Sequence, residues 1–357
     1  MEKTISTSSK IEKLLAAAIE YKASDLHLAV GVNPILRIDG KLMAIPNQPI
    51  LDAKTTHSLV LSVMTEEQIK LLETQRELDF SFGYQDTRFR TNVYYQKGAL
   101  QASLRLIAHS IPSFQQLGLP PILEKFTNFS QGFVIISGPT GHGKSTTLAA
   151  LIESINTNRS EHIITIEDPI EYVFEHKKSI ISQREVGSDT LSFGKALKSA
   201  LREDPNILLV GEMRDLETIE AALTLAETGH LVFTTLHTNS AAQTADRIID
   251  VFPAHQQSQV RAQVANVLLG VVSQRLIPKT SGGRVIACEI MIANTAIRNL
   301  IREGKTHQIP SIIQTSASEG MIELDKVLAE LVSKGEITLD DALMWSLDPK
   351  ELKMKIY

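Results

Sequence analysis

Apolar positions follow first the spacing of a helix and then that of strands in the first part of the chain. In residues 10–22 they recur every three or four positions, which predicts an amphipathic helix. The segments in which apolar and polar residues alternate are predicted to be strands, and they are residues 24–31, 33–45, 77–84, 87–96 and 99–108. Asp39-Gly40 predicts a hairpin turn inside the second segment, and a capping box from Thr65 to Gln68 predicts another short helix. These elements predict a small α+β domain.

The pattern changes after residue 110. Residues 111–122 contain Pro112, Gly118, Pro120 and Pro121, a composition that predicts an extended hinge between two domains. Beyond the hinge, apolar runs alternate with helical patterns, which is the rhythm of a parallel sheet. The predicted strands are residues 133–137, 162–169, 206–212 and 230–238, with a hairpin-like segment at 179–185.

The last hundred residues have a different pattern. From about Ala254 the chain is predicted to be mostly helical, with one further strand at Arg284–Ile292. A final helix is predicted to begin at Thr338. The fold class predicted for the whole chain is therefore α/β, with an α+β domain over residues 1–110 and a larger α/β domain over residues 123–357.

Composition narrows the classes of function. Across 357 residues the formal net charge is −5 without any long basic block, so the charge pattern predicts no binding of nucleic acid. The single cysteine, Cys288, can form neither an intrachain disulfide nor a four-cysteine zinc site, which favours a reduced, cytoplasmic compartment. Residues 1–10 lack the apolar core of a signal peptide, and no run reaches the roughly 18 apolar residues of a spanning helix. Membrane association is therefore expected to come through partners.

Residues 138–145, named here the phosphate loop, match the pattern G-x-x-x-x-G-K-[ST] between a predicted strand and a predicted helix. Glycines allow backbone N–H groups to turn toward an anion, and the positive end of the following helix points to the same place. The segment is therefore predicted to bind nucleotide phosphates through Gly138, Pro139, Thr140, Gly141, His142, Gly143, Lys144, Ser145 and Thr146.

Individual side chains of the phosphate loop have separable predicted roles. Lys144 is expected to reach the β and γ phosphates, Ser145 to ligate Mg²⁺, and Thr146 to add a hydroxyl toward the α phosphate. His142 occupies a variable position of the pattern, and its side chain is predicted to be solvated. ATP and Mg²⁺ are thus the predicted cofactors.

Glu212 follows an apolar run and is predicted to lie beside the γ phosphate. There it would orient and deprotonate an attacking water. The alternative, a carboxylate that caps the following helix, is assigned instead to Asp215. Gly211 stands where an acidic metal ligand would be usual, so Mg²⁺ is expected to rely on Ser145, phosphates and water.

Other polar residues end neighbouring predicted strands and should meet the phosphate loop in one crevice. Glu167 and Asp168 are interpreted as groups that position water or metal, with a solvated strand end as the alternative. His230 is interpreted as structural. His237 is predicted to hydrogen-bond the γ phosphate or Glu212, and so to report whether ATP or ADP is bound.

Five segments resemble, in order, the Walker A, Asp box, Walker B, His box and retraction motif of the PilT-type pilus retraction ATPases. They are GPTGHGKSTT, ITIEDPIEY, LREDPNILLVGEMRDLETI, ETGHLVFTTLHT and TAIRNLIREGK. SDLHL and RFRTNVYYQ also resemble the N-terminal domain of that family, so the resemblance covers nearly the whole chain. It implies a PAS-like domain over residues 1–110 and a RecA-like ATPase domain, with helices at its C-terminal end, over residues 123–357.

The resemblance implies a homohexameric ring that hydrolyses ATP and drives type IV pilus disassembly, with twitching motility as the result, at the cytoplasmic face of the inner membrane. The implied partners are further copies of the chain, the inner-membrane platform protein of the pilus and a paralogous retraction ATPase. Assembly ATPases of the same superfamily usually carry a four-cysteine insertion, which a single cysteine cannot supply. A PilU-type accessory retraction ATPase is the alternative, although LREDP and GEMRD resemble PilT more. His142 departs from the serine common at its position.

Two other classes of function were weighed against a motor. A P-loop kinase would need a mobile, arginine-rich lid, and the sequence offers no such segment. A nucleotide-gated scaffold would bind ATP without hydrolysing it, and the position of Glu212 argues against that function.

Three arginines of the first domain are expected to act on a neighbouring subunit. Arg88 and Arg90 share one face of a predicted strand, and Arg105 lies on the next strand. The resemblance implies that these side chains lie over the nucleotide, where an arginine supplied in trans stabilises transition-state charge. A solvated sheet face is the alternative.

The segment at residues 295–305 predicts a helix capped by Thr295. Arg298, Arg302 and Lys305 would form a basic stripe along one face. A solvated helix flank is the ordinary interpretation of such a stripe. The resemblance to the retraction motif implies instead a surface that couples the ATP cycle to pilus movement.

Overall fold

The computed structural model describes residues 9–38, 40–85, 87–107 and 110–356. Asp39 of the predicted hairpin turn and most of the segment considered for a signal peptide lie outside these residues. The chain divides into two compact units. The first comprises the residues up to Ser110 together with Glu171–Val173, and the second comprises Ile111–Ile170 and Phe174–Tyr357.

In its described residues, the first unit is an antiparallel sheet with three helices. The sheet has the strand order β3-β2-β1-β6-β5-β4. Its strands are β1 (Asp25–Leu28), β2 (Ile35–Ile38), β3 (Lys41–Ala44), β4 (Glu77–Tyr84), β5 (Thr87–Gln96) and β6 (Ala99–Ile107). Its helices are α1 (Ser9–Glu20), α2 (Ala53–Leu61) and α3 (Glu66–Gln75). The predicted capping box is present, because Thr65 and Gln68 exchange side-chain and backbone hydrogen bonds at the start of α3.

The segment predicted as an extended hinge contains helical structure. A short helix, α4 (Phe114–Leu117), begins at Ser113, whose hydroxyl accepts from the N–H of Gln116, and it ends at Gly118 with φ 65°. A 3₁₀ helix (Pro121–Asn128) follows directly. The prediction was wrong because proline and glycine flank these helices, where proline fits a first turn and glycine a C-terminal cap.

The second unit is built on a seven-stranded sheet with the order β13-β12-β7-β11-β10-β8-β9. All neighbouring strands in it are parallel except β12 and β13. Its strands are β7 (Gly132–Ser137), β8 (His162–Glu167), β9 (Ile180–Glu185), β10 (Ile207–Val210), β11 (Leu231–Leu236), β12 (Leu268–Pro278) and β13 (Arg284–Ile292). The α/β fold class is confirmed, and the segment predicted to be hairpin-like is instead β9, a parallel edge strand beside β8.

Helices cover and extend this sheet. They are α5 (Lys144–Asn158), α6 (Phe193–Ala200), α7 (Leu216–Glu227), α8 (Ala241–Asp250), α9 (Gln257–Val267), α10 (Thr295–Arg302), α11 (Ile309–Thr315), α12 (Leu324–Ser333), α13 (Leu339–Trp345) and α14 (Pro349–Ile356). Thr338 caps α13 as predicted, and α14 follows it. Among the described residues, no helix combines the length and the apolar composition needed to cross a bilayer.

Helices predominate after Ala254 as predicted, but the region contains the strand β12, which the sequence did not predict, in addition to the strand at Arg284–Ile292. Ten residues of β12 are buried or half-buried, and its sequence is an apolar run interrupted by Ser273, Gln274 and Arg275, without the alternation of a half-exposed strand. Such a run directly after the helical pattern of α9 resembles a continued helix. The error matters because β12 lies next to β7 and its last residues pass beneath the phosphate loop.

Candidate nucleotide site

The four stretches predicted to share a crevice lie at one edge of the sheet. Strands β7, β11, β10 and β8 are neighbours in that order and run parallel, so their carboxyl ends face the same side. The phosphate loop follows β7, His237 follows β11, and Glu212 follows β10 by one residue. Glu167 is the last residue of β8. Topology alone therefore brings these residues together.

The phosphate loop has the backbone geometry of an anion cradle. Gly138 has φ 140°, and Gly141 and Gly143 both have φ 79°, values that side chains with a Cβ strongly disfavour. Helix α5 begins at Lys144, and no side chain caps its N-terminus at Gly143. The positive end of the α5 dipole therefore points at the phosphate loop, where it favours an anion.

Strand β12 supports the loop from below through Gln274. A Cβ at Gly138 would overlap the carbonyl oxygen of Gln274, so only glycine allows this close approach. The Gln274 amide donates to the carbonyl oxygen of His142 at 2.6 Å, and its oxygen accepts from the Thr147 hydroxyl at 2.9 Å. One buried amide thus joins the loop to the first turn of α5. No local pattern predicts these contacts, because Gln274 lies more than 120 residues away from its partners.

His142 is not the solvated side chain that the sequence predicted. Its ring is half-buried, and Nδ1 accepts a hydrogen bond from the N–H of Leu276 at 2.9 Å. Its ring also meets the edge of Trp345, with 4.7 Å between the centroids. The prediction failed because both contacts come from distant parts of the chain. Burial, together with the positive charges of Arg275 and Lys144, lowers the pKa of His142.

Lys144 is buried, and its ammonium group is held inside the loop. It donates to the carbonyl oxygens of Gly138 at 2.8 Å and Pro139 at 3.0 Å. Its Nζ also lies 3.5 Å from Nδ1 of His237. This charge lies beside the loop backbone, and its role toward the β and γ phosphates stays a prediction.

His237 lies between Lys144 and Glu212. Since the ammonium group can only donate, Nδ1 accepts and the proton of the neutral ring sits on Nε2, which lies 3.8 Å from the Glu212 carboxylate. Burial and the positive charge of Lys144 lower the pKa of His237, although Glu212 opposes this shift. The neutral ring thus links the phosphate loop to Glu212.

Besides the neutral ring of His237, Glu212 has a charged neighbour that the sequence did not point to. Its carboxylate is 16 % exposed and accepts from Nε of Arg214 at 2.8 Å, while Arg214 itself is 75 % exposed. Helix α7 is capped by Asp215, whose carboxylate accepts from the N–H of Thr218 at 2.9 Å. Glu212 is therefore not needed as the cap, and its carboxylate lies at the crevice.

Glu167 is held more firmly than a solvated strand end. Its carboxylate accepts from the Thr165 hydroxyl at 2.6 Å and from the Gln183 amide at 3.3 Å. Asp168 is exposed. A Cβ on Gly211 would approach the carbonyl oxygen of Ile166 to 3.3 Å, so an acidic residue would be crowded at that position.

The loop that follows His237 is held by two buried charged residues. Arg275 donates to the carbonyl oxygen of Asn239 at 2.8 Å, and Glu289 accepts from the N–H of Ala241 at 2.6 Å. Burial raises the pKa of Glu289 to about 7. His230, at the other end of β11, donates from Nδ1 to the carbonyl oxygen of Leu225 at 2.9 Å, in agreement with a structural role.

The residues present fit a magnesium ion that is carried in with a nucleotide. Within the described residues no group of three or more His, Cys, Asp or Glu side chains could hold a metal ion. Mg²⁺ commonly keeps several waters and binds through one or two protein oxygens plus phosphate oxygens. The Ser145 hydroxyl, in the first turn of α5, is the group that would hold it here.

The three arginines of the first unit have different surroundings. Arg90 and Arg105 are register partners on β5 and β6, and Arg90 is exposed. Arg105 donates from Nε to Asp25 at 2.8 Å. Like charges directly opposite each other on a sheet are unfavourable, and the ion pair of Arg105 with Asp25 offsets part of that cost. Arg88 is half-buried on the same face of β5 as Arg90.

Helix α10 does not carry the basic stripe that was predicted. Arg298 is half-buried and donates to three backbone carbonyl oxygens, those of Ala293, Ala265 and Asn266. It therefore ties α10 to the end of α9, and only Arg302 and Lys305 remain exposed. The cap is Asn294, not Thr295, because the side-chain Oδ1 of Asn294 accepts from the N–H of Ile297 at 3.0 Å.

Comparison with known proteins places this architecture in one family. The family model described as "Type II/IV secretion system protein" matches residues 2–282. The type IV pilus retraction ATPase PilT of Pseudomonas aeruginosa is 50 % identical over 93 % of this chain and 96 % of its own. The type IV pilus ATPase PilU of the same organism is 40 % identical over 97 % of this chain and 91 % of its own.

A solved structure agrees with these sequence matches. The crystal structure of the pilus retraction motor PilT with bound ADP superposes with a TM-score of 0.91 and 51 % identity, covering 96 % of this chain and 99 % of that one. The family model spans more than half of the chain, and both relatives are matched over nearly their full length. This chain belongs to the type II/IV secretion system protein family.

Proposed function

We propose that this chain is an ATP-hydrolysing motor that powers the retraction of type IV pili. The observation that carries the proposal is the set Lys144, His237 and Glu212, which runs from a phosphate cradle to a candidate base through contacts of 3.5 and 3.8 Å. The similarity to PilT over nearly the whole chain supports the same activity. Retraction of pili drives twitching, so the cellular readout is surface motility.

The proposed chemistry uses the chain's own groups in three steps. The N–H groups of the phosphate loop and Lys144 bind the β and γ phosphates, and Ser145 ligates Mg²⁺, which neutralises phosphate charge when bound. Glu212 orients a water and accepts its proton. His237 passes a change at the γ phosphate to Glu212, because its ring already contacts both sides of the crevice.

The proposed working form is a homohexameric ring at the cytoplasmic face of the inner membrane. Its partners would be further copies of the chain, the platform protein of the pilus and a paralogous retraction ATPase. A PilU-type accessory ATPase is the second candidate, supported by 40 % identity to PilU but ranked below PilT by identity. A nucleotide-gated scaffold, which would bind ATP without hydrolysing it, is the candidate from another class, and the proposed role of Glu212 as a base argues against it.

One experiment separates these functions. The purified chain is sized with and without ATP and Mg²⁺, and phosphate release is measured in the same samples with no added acceptor. We expect a ring-sized species whose formation raises the rate of phosphate release. Nucleotide binding without release would indicate a scaffold, and release that requires an acceptor would indicate a kinase.

A second prediction concerns the arginines of the first unit. Arg90→Ala and Glu212→Gln proteins are each expected to be inactive alone, whereas mixed rings should recover about a quarter of the wild-type rate, since random mixing leaves that share of interfaces intact. Recovery is measured as phosphate release after verified subunit exchange. Arg105→Ala serves as the comparison, because Arg105 is bonded to Asp25 in its own unit. Failure of Arg90→Ala to complement in verified mixed rings would rule out Arg90 as the residue supplied in trans.

A further inference from the structure

Trp345, the only tryptophan in the chain, is the last residue of α13. It is half-buried and packs on an apolar cluster that includes Ile277 of β12 and Leu328 of α12. The chain just after it is fixed as well. Both carboxylate oxygens of Asp325 accept backbone N–H groups, from Leu347 at 3.0 Å and Asp348 at 2.9 Å. The indole is therefore a fixed part of the C-terminal helices.

The indole lies against the phosphate loop on the side where β12 supports it. The His142 ring meets it at an angle of 66°, an edge-to-face arrangement that aromatic pairs favour. The guanidinium carbon of Arg275 lies 6.0 Å from the indole centroid, within the range of a cation–π contact. Arg275 also donates to Asn239 in the loop after His237. One side chain of α13 thus touches two residues that hold the site.

His142 is well placed to transmit a force between the two sides. It stands between two glycines with positive φ, so its backbone belongs to the cradle, while its ring is anchored to the Leu276 N–H and the indole. Positive charge from Arg275 of β12, Lys144 of α5 and Arg284 of β13 surrounds the ring and disfavours its protonated form. Nδ1 is therefore kept as the acceptor that Leu276 requires. A shift of the loop backbone on binding phosphates would therefore strain the contact between this ring and Trp345.

We propose that Trp345 is a positioning residue for the phosphate loop, acting through His142, and that this contact couples occupancy of the nucleotide site to the C-terminal helices α13 and α14. The inference rests on the proposed binding of nucleotide at the loop. Coupling is reciprocal, so if the state of α13 changes nucleotide affinity, bound nucleotide changes the state of α13 by the same free energy. This coupling between the nucleotide site and α13 requires neither ATP hydrolysis nor the pilus.

The test uses the full chain, ADP with Mg²⁺, and two independent readouts. Calorimetry measures ADP affinity, and emission of the single tryptophan reports the surroundings of α13. In the wild-type protein we expect emission to change with ADP and to saturate at the calorimetric Kd. In His142→Ala, at ADP concentrations that calorimetry shows to be saturating, the emission response should be lost.

Variants of α13 test whether a change in this helix alters ADP affinity. Trp345→Ala should weaken ADP binding on the order of fivefold, and Trp345→Phe should restore most of it because an aromatic edge remains. Met344→Ala, on the same helix with a side chain that is 73 % exposed, is the matched control and should bind ADP as the wild type does. Leu328→Ala controls for loss of stability, since it disrupts the same apolar cluster without contact to the loop.

The outcomes separate this inference from the proposed function. If calorimetry detects ADP binding while emission does not respond and Trp345→Ala binds normally, the coupling is overturned and the nucleotide site stands. The coupling is also overturned if Leu328→Ala weakens ADP binding as much as Trp345→Ala does. If the wild-type protein gives no heat with ADP, the proposed function falls and the coupling falls with it.

Discussion

Glu212→Gln is expected to bind ATP with near wild-type affinity and to release phosphate on the order of 10³-fold more slowly. Removal of a general base typically costs a factor of about 10² to 10⁴ in rate, and the amide keeps the size of the carboxylate while losing its basicity. Lys144→Ala should fail earlier, at binding, because the ammonium group inside the cradle is lost. Calorimetry with ATP and a phosphate-release assay measure the two steps separately.

Glu217, on the helix that follows Glu212, provides a matched control for Glu212→Gln. Glu217 on α7 is 55 % exposed and pairs with Lys198, so Glu217→Gln makes the same chemical change outside the crevice and should leave phosphate release unchanged. Equal loss of ATP binding in Glu212→Gln and Lys144→Ala would contradict the separate roles. Near-normal phosphate release by Glu212→Gln would remove it as the base.

Much of the site could be predicted because its parts are local in sequence. The glycine pattern of the phosphate loop, the apolar run before Glu212 and the run before His237 are each readable within about ten residues. Parallel strand order then brings their ends together. The geometry that links Lys144, His237 and Glu212 follows from these local signals and the sheet.

What the sequence did not reveal depends on contacts between distant segments. The ring of His142 is anchored by Leu276 and Trp345, which lie more than 130 and 200 residues further along the chain. Strand β12 was missed because burial on both faces removes the alternation that marks a strand. A single sequence contains no local signal for the anchoring of the His142 ring or for the burial of β12, since both depend on which surfaces meet after folding.

The prediction of a basic stripe on helix α10 was also wrong because of contacts between distant segments. The spacing of Arg298, Arg302 and Lys305 fits two arrangements equally well. All three side chains could be exposed as a stripe, or one could be buried and hold the helix in place while the other two are exposed. The acceptors of Arg298 decide between them, and two of the three are backbone carbonyls at the end of α9, more than 30 residues earlier. The stripe hypothesis suggests substituting Arg298 and Arg302 together. The double variant could not distinguish loss of folding from loss of coupling to the pilus.

Single reversals on α10 are expected to separate these two effects. Arg298→Glu should lower the free energy of unfolding by on the order of 3 kcal/mol, because it removes a charged donor from three carbonyl oxygens and places a carboxylate among them. Arg302→Glu changes an exposed residue whose described partner is Asn299 on the same helix, so its unfolding, assembly and phosphate release should match the wild type.

If α10 couples the ATP cycle to the pilus, as its resemblance to the retraction motif implies, Arg302→Glu should abolish pilus retraction in cells that lack the native protein. Thermal unfolding, phosphate release and twitching are measured on both variants, with Lys305→Glu as a comparison because Lys305 already pairs with Glu303 at 2.8 Å. Normal twitching by a stable Arg302→Glu protein would show that this exposed face is ordinary surface, and normal stability of Arg298→Glu would show that its three hydrogen bonds do not anchor the helix.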